Sequence, residues 1–302
     1  MKIVDSLETI CSEKRTAVAI GKFDGVHAGH RRLLGVIEAA KADGLTPCAF
    51  TFDPSPERFF GGEGVKLLSE KDEKRELLEA LGVELLVEYP LNAETAAIDP
   101  ALFIEEFLCK RLRAGLVAAG SDLSFGAGGK GSFALLNAMR RSGGYETAEV
   151  EKLTVDGSAV SSSRIRALIA EGRMEDANRC LGRAYSLRGK VIHGARIGHE
   201  IGFPTLNLEP PAEKLLPPFG VYRTKICLGG KSYAGLTNIG VKPTVRENAA
   251  VTAETYVYDF DEDAYGEEIR VELLSFARPE RRFDSLESLK AQLAADIEEN
   301  RP

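Results

Sequence analysis

The sequence predicts an α/β chain in two parts: an N-terminal doubly wound parallel sheet, then a small antiparallel β-barrel with a terminal helix. Its 302 residues exceed the roughly 100–150 of a common single domain, so two cores are expected. Over the first half, apolar strand-like runs alternate with segments of helical period, the mark of a parallel sheet covered on both faces. Beyond residue 185 short strands follow one another directly, which reads as an antiparallel barrel. The expected division is 1–184 and 185–302.

Taken in order, the first half reads as strand AVAIG, a helix after Gly29, strand TPCAFTF, helix SEKDEKRELLEAL, strand VELLVEY, helix PALFIEEFLCKRL and strand GLVAAGS. A further strand, ETAEVEKL, and two helices, SSRIRALIAEG and MEDANRCLG, are expected to complete it. The second half reads as strands SLRGKVIHG, GVYRTKICL, KSYAGLTNIG, AETYVYDF and IRVELLSF, with Gly229-Gly230 as a tight hairpin turn. SLESLKAQLAADIEEN closes the chain as an amphipathic helix, its apolar positions three and four apart, expected to pack across the barrel.

Composition narrows the functional classes. A net charge of −7 argues against polyanionic nucleic acid or an anionic membrane surface as partner, since both require clustered Lys and Arg. Single nucleotides remain compatible through local sites. The five cysteines are scattered and odd in number, with no C-x-x-C pair, which speaks against a disulfide framework or a zinc site and for a reducing cytoplasm. No apolar run approaches the roughly 20 residues of a membrane span, and the first residues lack the apolar core of a signal peptide.

Two passages carry chemistry. The first is GKFDGVHAGH, residues 21–30, between the first strand and its helix. Ligands of open parallel sheets bind at the carboxyl ends of strands, and a helix N-terminus offers unpaired N–H donors to phosphate. Gly25 and Gly29 allow close backbone approach, and His27 and His30 can turn imidazole donors to one anion. Far along the chain, VSSSRIR at residues 160–166 supplies Ser161 and Ser162 as cap and phosphate partners and Arg166 as a charge-assisted one. The second passage is GKVIHGARIGHEIGFPTLNL, residues 189–208. Gly194, Gly198 and Gly202 make a loop able to wrap phosphates, and Pro204 stiffens its exit into a strand. Thr205 and Asn207, two apart in an extended segment, share a face and offer hard oxygens of the kind that Mg²⁺ accepts beside phosphates. No Walker or protein-kinase motif is present. His193 and His199 read as polar loop residues.

The H-x-G-H after a first strand resembles the nucleotidyltransferase superfamily. With FDPSP (residues 52–56), GSDLSFGAGGKGS (120–132) and the G-F-P-T-L-N passage, the chain resembles prokaryotic-type bifunctional riboflavin kinase/FAD synthetases over nearly its whole length. GVY at Gly220, NIG at Asn238, PT at Pro243, YG at Tyr265 and RPERRFDSLESL extend the match. The resemblance implies ATP-dependent phosphorylation of riboflavin to FMN in the C-terminal half and adenylyl transfer to FMN, giving FAD and pyrophosphate, in the N-terminal half. It assigns Gly21, Phe23, Asp24, Gly25, Gly29, His27 and His30 to ATP, the histidines to its phosphates, and Asp122 and Phe125 to FMN. Thr205 and Asn207 are assigned to Mg²⁺ and ATP phosphate, and Glu254, in ETYVYDF, to the base that takes the hydroxyl proton. Two positions depart from the usual pattern: Leu123 stands where an aromatic is usual, and Ser163 where threonine is, its hydroxyl retained. A nucleotidyltransferase with another substrate and a flavin-binding regulator without catalysis are the alternatives. The oligomeric state is left open.

Overall fold

The computed structural model describes residues 1–62, 64–193, 202–241 and 251–301. They form two compact units, Met1–Ser162 and Ser163–Pro302.

The first unit is built on six parallel strands in the order β1-β4-β3-β2-β5-β6. These are β1 (Lys2–Val4), β2 (Thr16–Ile20), β3 (Thr46–Asp53), β4 (Leu85–Pro90), β5 (Ala114–Gly120) and β6 (Glu146–Val150). Every residue of β2 is buried, as a strand covered on both faces requires. Alternation then divides the core in two. Ala17, Ala19, Ala49 and Leu86 face α1 (Ala28–Ala39) and α3 (Lys71–Ala80) through Leu33, Leu34, Ile37 and Leu78. Val18, Ile20, Phe50 and Val87 face the opposite layer, where Phe103, Phe107 and Leu136 pack. That layer consists of α5 (Pro100–Phe103), continuing as a π-helical stretch Ile104–Arg111, and α6 (Phe133–Gly143). The sheet is therefore doubly wound, as its alternating pattern predicts.

The sequence reading missed β1, whose three residues pair with Leu85–Val87 at the sheet edge and are too few to show a period. It also missed a short hairpin, β7 (Thr154–Val155) with β8 (Ser158–Ala159), which ends the expected strand ETAEVEKL at Val150.

The second unit contains six antiparallel strands in the order β10-β13-β12-β11-β14-β9. They are β9 (Tyr185–Lys190), β10 (Thr205–Leu208), β11 (Gly220–Leu228), β12 (Lys231–Val241), β13 (Val251–Val257) and β14 (Glu268–Pro279). Gly229 and Gly230, both at positive φ, form the expected two-residue turn between β11 and β12. The sheet curls until its edges meet at one bridge, Ile192 N–H to the Asn207 carbonyl at 2.8 Å. Inside, the hydroxyls of Thr224, Thr237 and Thr255 form a buried chain across β11, β12 and β13, with spacings of 3.0 and 2.9 Å.

Two helices expected in the first half lie largely or wholly in this unit. α7 (Ser162–Ala170) begins at the division, and α8 (Met174–Leu181) packs on the barrel. Asn178 fastens α8 there: its side chain donates to the Leu273 carbonyl at 2.8 Å and accepts from the Tyr185 N–H at 2.7 Å. The terminal helix α9 (Leu286–Glu299) is fixed by Arg278 of β14, whose Nε and Nη2 reach the Asp296 carboxylate at 2.8 and 2.6 Å. Tyr258 adds a hydrogen bond to the Ile297 carbonyl at 2.8 Å.

Candidate active sites

In the parallel sheet, β3 and β4 lie on one side of β2, and β5 and β6 on the other. The strand order reverses at β2 and β5, which marks the crevice where such sheets bind ligands. Residues 21–27 leave β2 there, and residues 121–132 leave β5.

The turn after β2 is wound tightly. Phe23, Gly25 and Val26 all take positive φ, and only the glycine adopts that without strain. Several bonds hold it. The Asp24 carboxylate accepts from the Leu68 and Ser69 N–H groups at 3.0 and 3.2 Å, and the Ser69 hydroxyl accepts from Gly25 N–H at 2.9 Å. Ser162 donates to the Asp24 carbonyl at 3.0 Å, so the first and last motif segments of this unit are joined. Asp24 thus serves the turn directly. Phe23 is fully buried, its ring edge-on to His30 at 5.2 Å and against Gly21, where a Cβ would stand 3.0 Å from it. Phe23 therefore shapes the site through His30.

His27 is the N-cap of α1: its Nδ1 accepts the His30 N–H at 3.3 Å. With Nδ1 an acceptor, the proton of the neutral ring sits on Nε2, which becomes a donor. The two imidazoles stack at 3.6 Å, 12° from parallel. Gly29 permits this, since a Cβ there would come within 3.2 Å of the His27 ring. Burial, and secondarily the neighbouring His27, hold the His30 pKa well below its usual value, so the pair is not doubly charged. His30 Nδ1 is buried with no hydrogen-bond partner among the described residues, the condition of a group that a ligand completes. A helix start, an Nε2–H donor and an orphaned imidazole nitrogen make an anion site.

Other expected residues are distributed less simply. Asp122 is exposed and paired with Lys152 at 2.9 Å. Phe125 is buried against Phe103 at 5.3 Å, over Gly131, where a Cβ would collide with its ring at 2.7 Å. It anchors its loop from within the core and offers no open face to a ligand. Ser161 lies just ahead of α7, and Arg166 is half-buried on that helix.

Sequence reasoning overlooked a charged cluster at the same strand ends. Glu88, buried at the end of β4, takes Arg75 at 2.7 Å and Lys71 at 3.3 Å, and Lys71 also reaches Asp53 at 2.5 Å. A carboxylate inside the otherwise apolar run LLVEY was the available signal, because a buried Glu needs cationic partners. The cluster ties α3 to the FDPSP loop.

In the barrel, Thr205 and Asn207 lie on one face of β10, Asn207 Nδ2 standing 3.4 Å from Thr205 Oγ1. Register places Glu254 of β13 directly beside Asn207 on one side and Asn238 of β12 on the other. Sequence positions almost fifty apart thus meet on three strands. No three His, Cys, Asp or Glu side chains gather as a metal cage among the described residues. Two oxygen-bearing side chains on one strand face suit a cation shared with phosphates, the usual mode of Mg²⁺. Gly202 and Pro204 precede β10, Gly202 at positive φ. Gly194, Gly198, His199 and Pro243 lie outside the described residues. His193 lies against the Tyr265 ring, the centroids 3.9 Å apart and the planes tilted by 33°.

Comparison with known proteins agrees with this division of labour. The FAD synthetase family model matches residues 10–164 and the riboflavin kinase model residues 181–302. A bifunctional riboflavin kinase/FMN adenylyltransferase of Listeria monocytogenes is 36% identical over 94% of this chain and 91% of its own. The Escherichia coli K12 protein of the same description is 34% identical over 98% and 96%. A solved structure described as a macrolide-efflux protein from Streptococcus pneumoniae superposes with a TM-score of 0.90 at 28% identity, covering 100% of this chain and 99% of that one.

Proposed function

This chain belongs to the family of bifunctional riboflavin kinase/FMN adenylyltransferases, and from that premise we propose that its two activities use two sites, one in each unit. The enzyme phosphorylates riboflavin to FMN and transfers an adenylyl group from ATP to FMN, releasing pyrophosphate. The division 1–184 for adenylyl transfer and 185–302 for the kinase is supported by the separate stretches that the two models match, 10–164 and 181–302. The observation that carries the assignment is the row Asn207–Glu254, which sets a carboxylate beside two oxygen donors on the barrel face.

In adenylyl transfer an FMN phosphate oxygen attacks the α-phosphorus of ATP and the bond to pyrophosphate breaks. No protein nucleophile takes part. His27 Nε2–H and His30 bind the polyphosphate and stabilise charge on the transferring group. Gly21, Gly25 and Gly29 keep the wall low, Asp24 and Phe23 hold the turn, Ser161 and Ser162 complete the phosphate cradle, and Asp122 shapes the FMN side on the loop that Phe125 anchors.

In the kinase reaction the ribityl hydroxyl attacks the γ-phosphorus and ADP leaves. Glu254 takes the hydroxyl proton. Thr205 and Asn207 fit Mg²⁺, which when bound supplies neutralisation of phosphate charge; Gly202 and Pro204 lead into their strand. The substrates are thus riboflavin, FMN and ATP, with no nucleic acid or membrane partner. The scattered cysteines, odd in number and with no C-x-x-C pair, support a cytoplasmic setting. No described helix is long and apolar enough to cross a membrane.

The test is incubation with riboflavin, ATP and Mg²⁺, flavins being separated over time. FMN is expected to rise and give way to FAD, and Glu254→Gln to lower FMN formation about a hundredfold or more, within the range of a lost general base. Excess EDTA is expected to stop FMN formation; undiminished activity in EDTA would refute the Mg²⁺ assignment. A flavin-binding protein without catalysis would yield neither product.

A further inference from the structure

The polar row on the barrel continues past the proposed base. Asn207, Glu254 and Asn238 stand in register on β10, β13 and β12, so their side chains leave one face of the sheet as neighbours about 5 Å apart at Cβ. Asn238 meets a second carboxylate: its Nδ2 lies 3.4 Å from Glu280 Oε1, one residue beyond the end of β14. Gly240 makes that approach possible. A Cβ there would stand 1.9 Å from Glu280 Oε1, so any side chain at 240 would displace the carboxylate. The Asn238 side chain thus touches Glu280 and stands in register beside Glu254, with two amide N–H donors to share.

We propose that Asn238, held by Glu280 across Gly240, is a positioning residue for the kinase: one amide hydrogen goes to Glu280, and the other orients the Glu254 carboxylate toward the ribityl hydroxyl. The inference rests on the assignment of Glu254 as base. Turning the amide over would set its oxygen against a carboxylate, acceptor against acceptor, and lose a hydrogen bond. Glu280 acts only through Asn238, fixing which way the amide faces. A base moved by a fraction of an ångström loses rate without losing substrate affinity, which gives the inference its signature.

The experiment is steady-state kinase kinetics on the full chain for Asn238→Ala, Glu280→Ala, their double variant and Glu254→Gln. Asn238→Ala is expected to lower kcat about tenfold or more with both KM values within about twofold of wild type, the pattern of a lost transition-state interaction. Glu280→Ala, at an exposed position, is expected to lower kcat about threefold or more. The double variant should be no worse than Asn238→Ala alone, since groups acting as one unit are not additive. Unchanged KM shows that the barrel is folded. If Asn238→Ala is insoluble, Glu280→Ala decides, and a wild-type kcat there overturns the inference. A wild-type kcat in Asn238→Ala, or a rise in KM alone, overturns it while leaving Glu254 as base, provided Glu254→Gln is impaired. Glu254→Gln at wild-type rate overturns both assignments. Strictly additive losses remove Glu280 from the mechanism as proposed.

Discussion

At the scale of single residues, the N-terminal site depends on an absence. Gly29 leaves room for the His27 ring that caps α1, and a methyl at 3.2 Å would push the imidazole off its stack with His30. Gly29→Ala is expected to cut FAD formation about tenfold while FMN formation is unchanged, read from the two product rates. That loss corresponds to about 1.4 kcal/mol of transition-state stabilisation. His30 carries a second consequence. Its native pKa lies well below the ordinary 6.5, so below pH 6.5 the unfolded chain takes up a proton that the folded chain refuses. Stability of the first unit therefore falls as pH falls through that window. His30→Gln, which cannot titrate, is expected to flatten this slope in denaturant melts recorded between pH 7.5 and 5.5. An unchanged slope would mean that His30 is protonated as easily in the folded state.

At the scale of elements, each site is a junction of strand ends and helix starts held by side-chain bonds. Glu88 draws Lys71 and Arg75 onto the end of β4, which aims the first turns of α3 at the FDPSP loop. In the barrel, α9 keeps only Leu289, Leu293 and Ile297 half-buried along one face, and Leu286 is exposed. Its docking thus leans on the Arg278–Asp296 pair, in which Asp296 is 6% exposed. Asp296→Ala leaves the Arg278 guanidinium without its carboxylate, and a loss of about 3 kcal/mol is expected, the low end for a buried pair deprived of one partner. The check is thermal unfolding followed through the kinase activity. A shift no larger than that of an exposed helix substitution would show that the apolar face holds α9 by itself.

For the whole molecule, two units with separate cores imply separable functions. Substitution of His27 and His30 together is expected to stop the chain at FMN, and Glu254→Gln to leave FAD formation from supplied FMN intact. Mixing the two inactive variants should restore conversion of riboflavin to FAD through FMN released into solution. Failure of the mixture, with each half-reaction still present, would show that the two sites must share one chain.

Much of this was legible in the sequence because it is written in local patterns. Alternating periods declared the parallel sheet and the barrel, and H-x-G-H and G-F-P-T-L-N carried the resemblance to the family, since glycines at turns and side chains two apart on a strand act over short distances. β1 was not legible, because three residues carry no period, and the packing of α8 on β14 and β9 was not legible because helical periodicity does not say which sheet a helix covers. Register was decided by tertiary structure alone. Glu254 stands between Asn207 and Asn238 only because β10, β13 and β12 pair as they do, and Gly240 matters only because Glu280 returns from beyond β14 to lie against it. Sequence determines which faces are apolar and which turns are tight; the pairing of distant strands, fixed by closing one shared core, decides which polar groups meet.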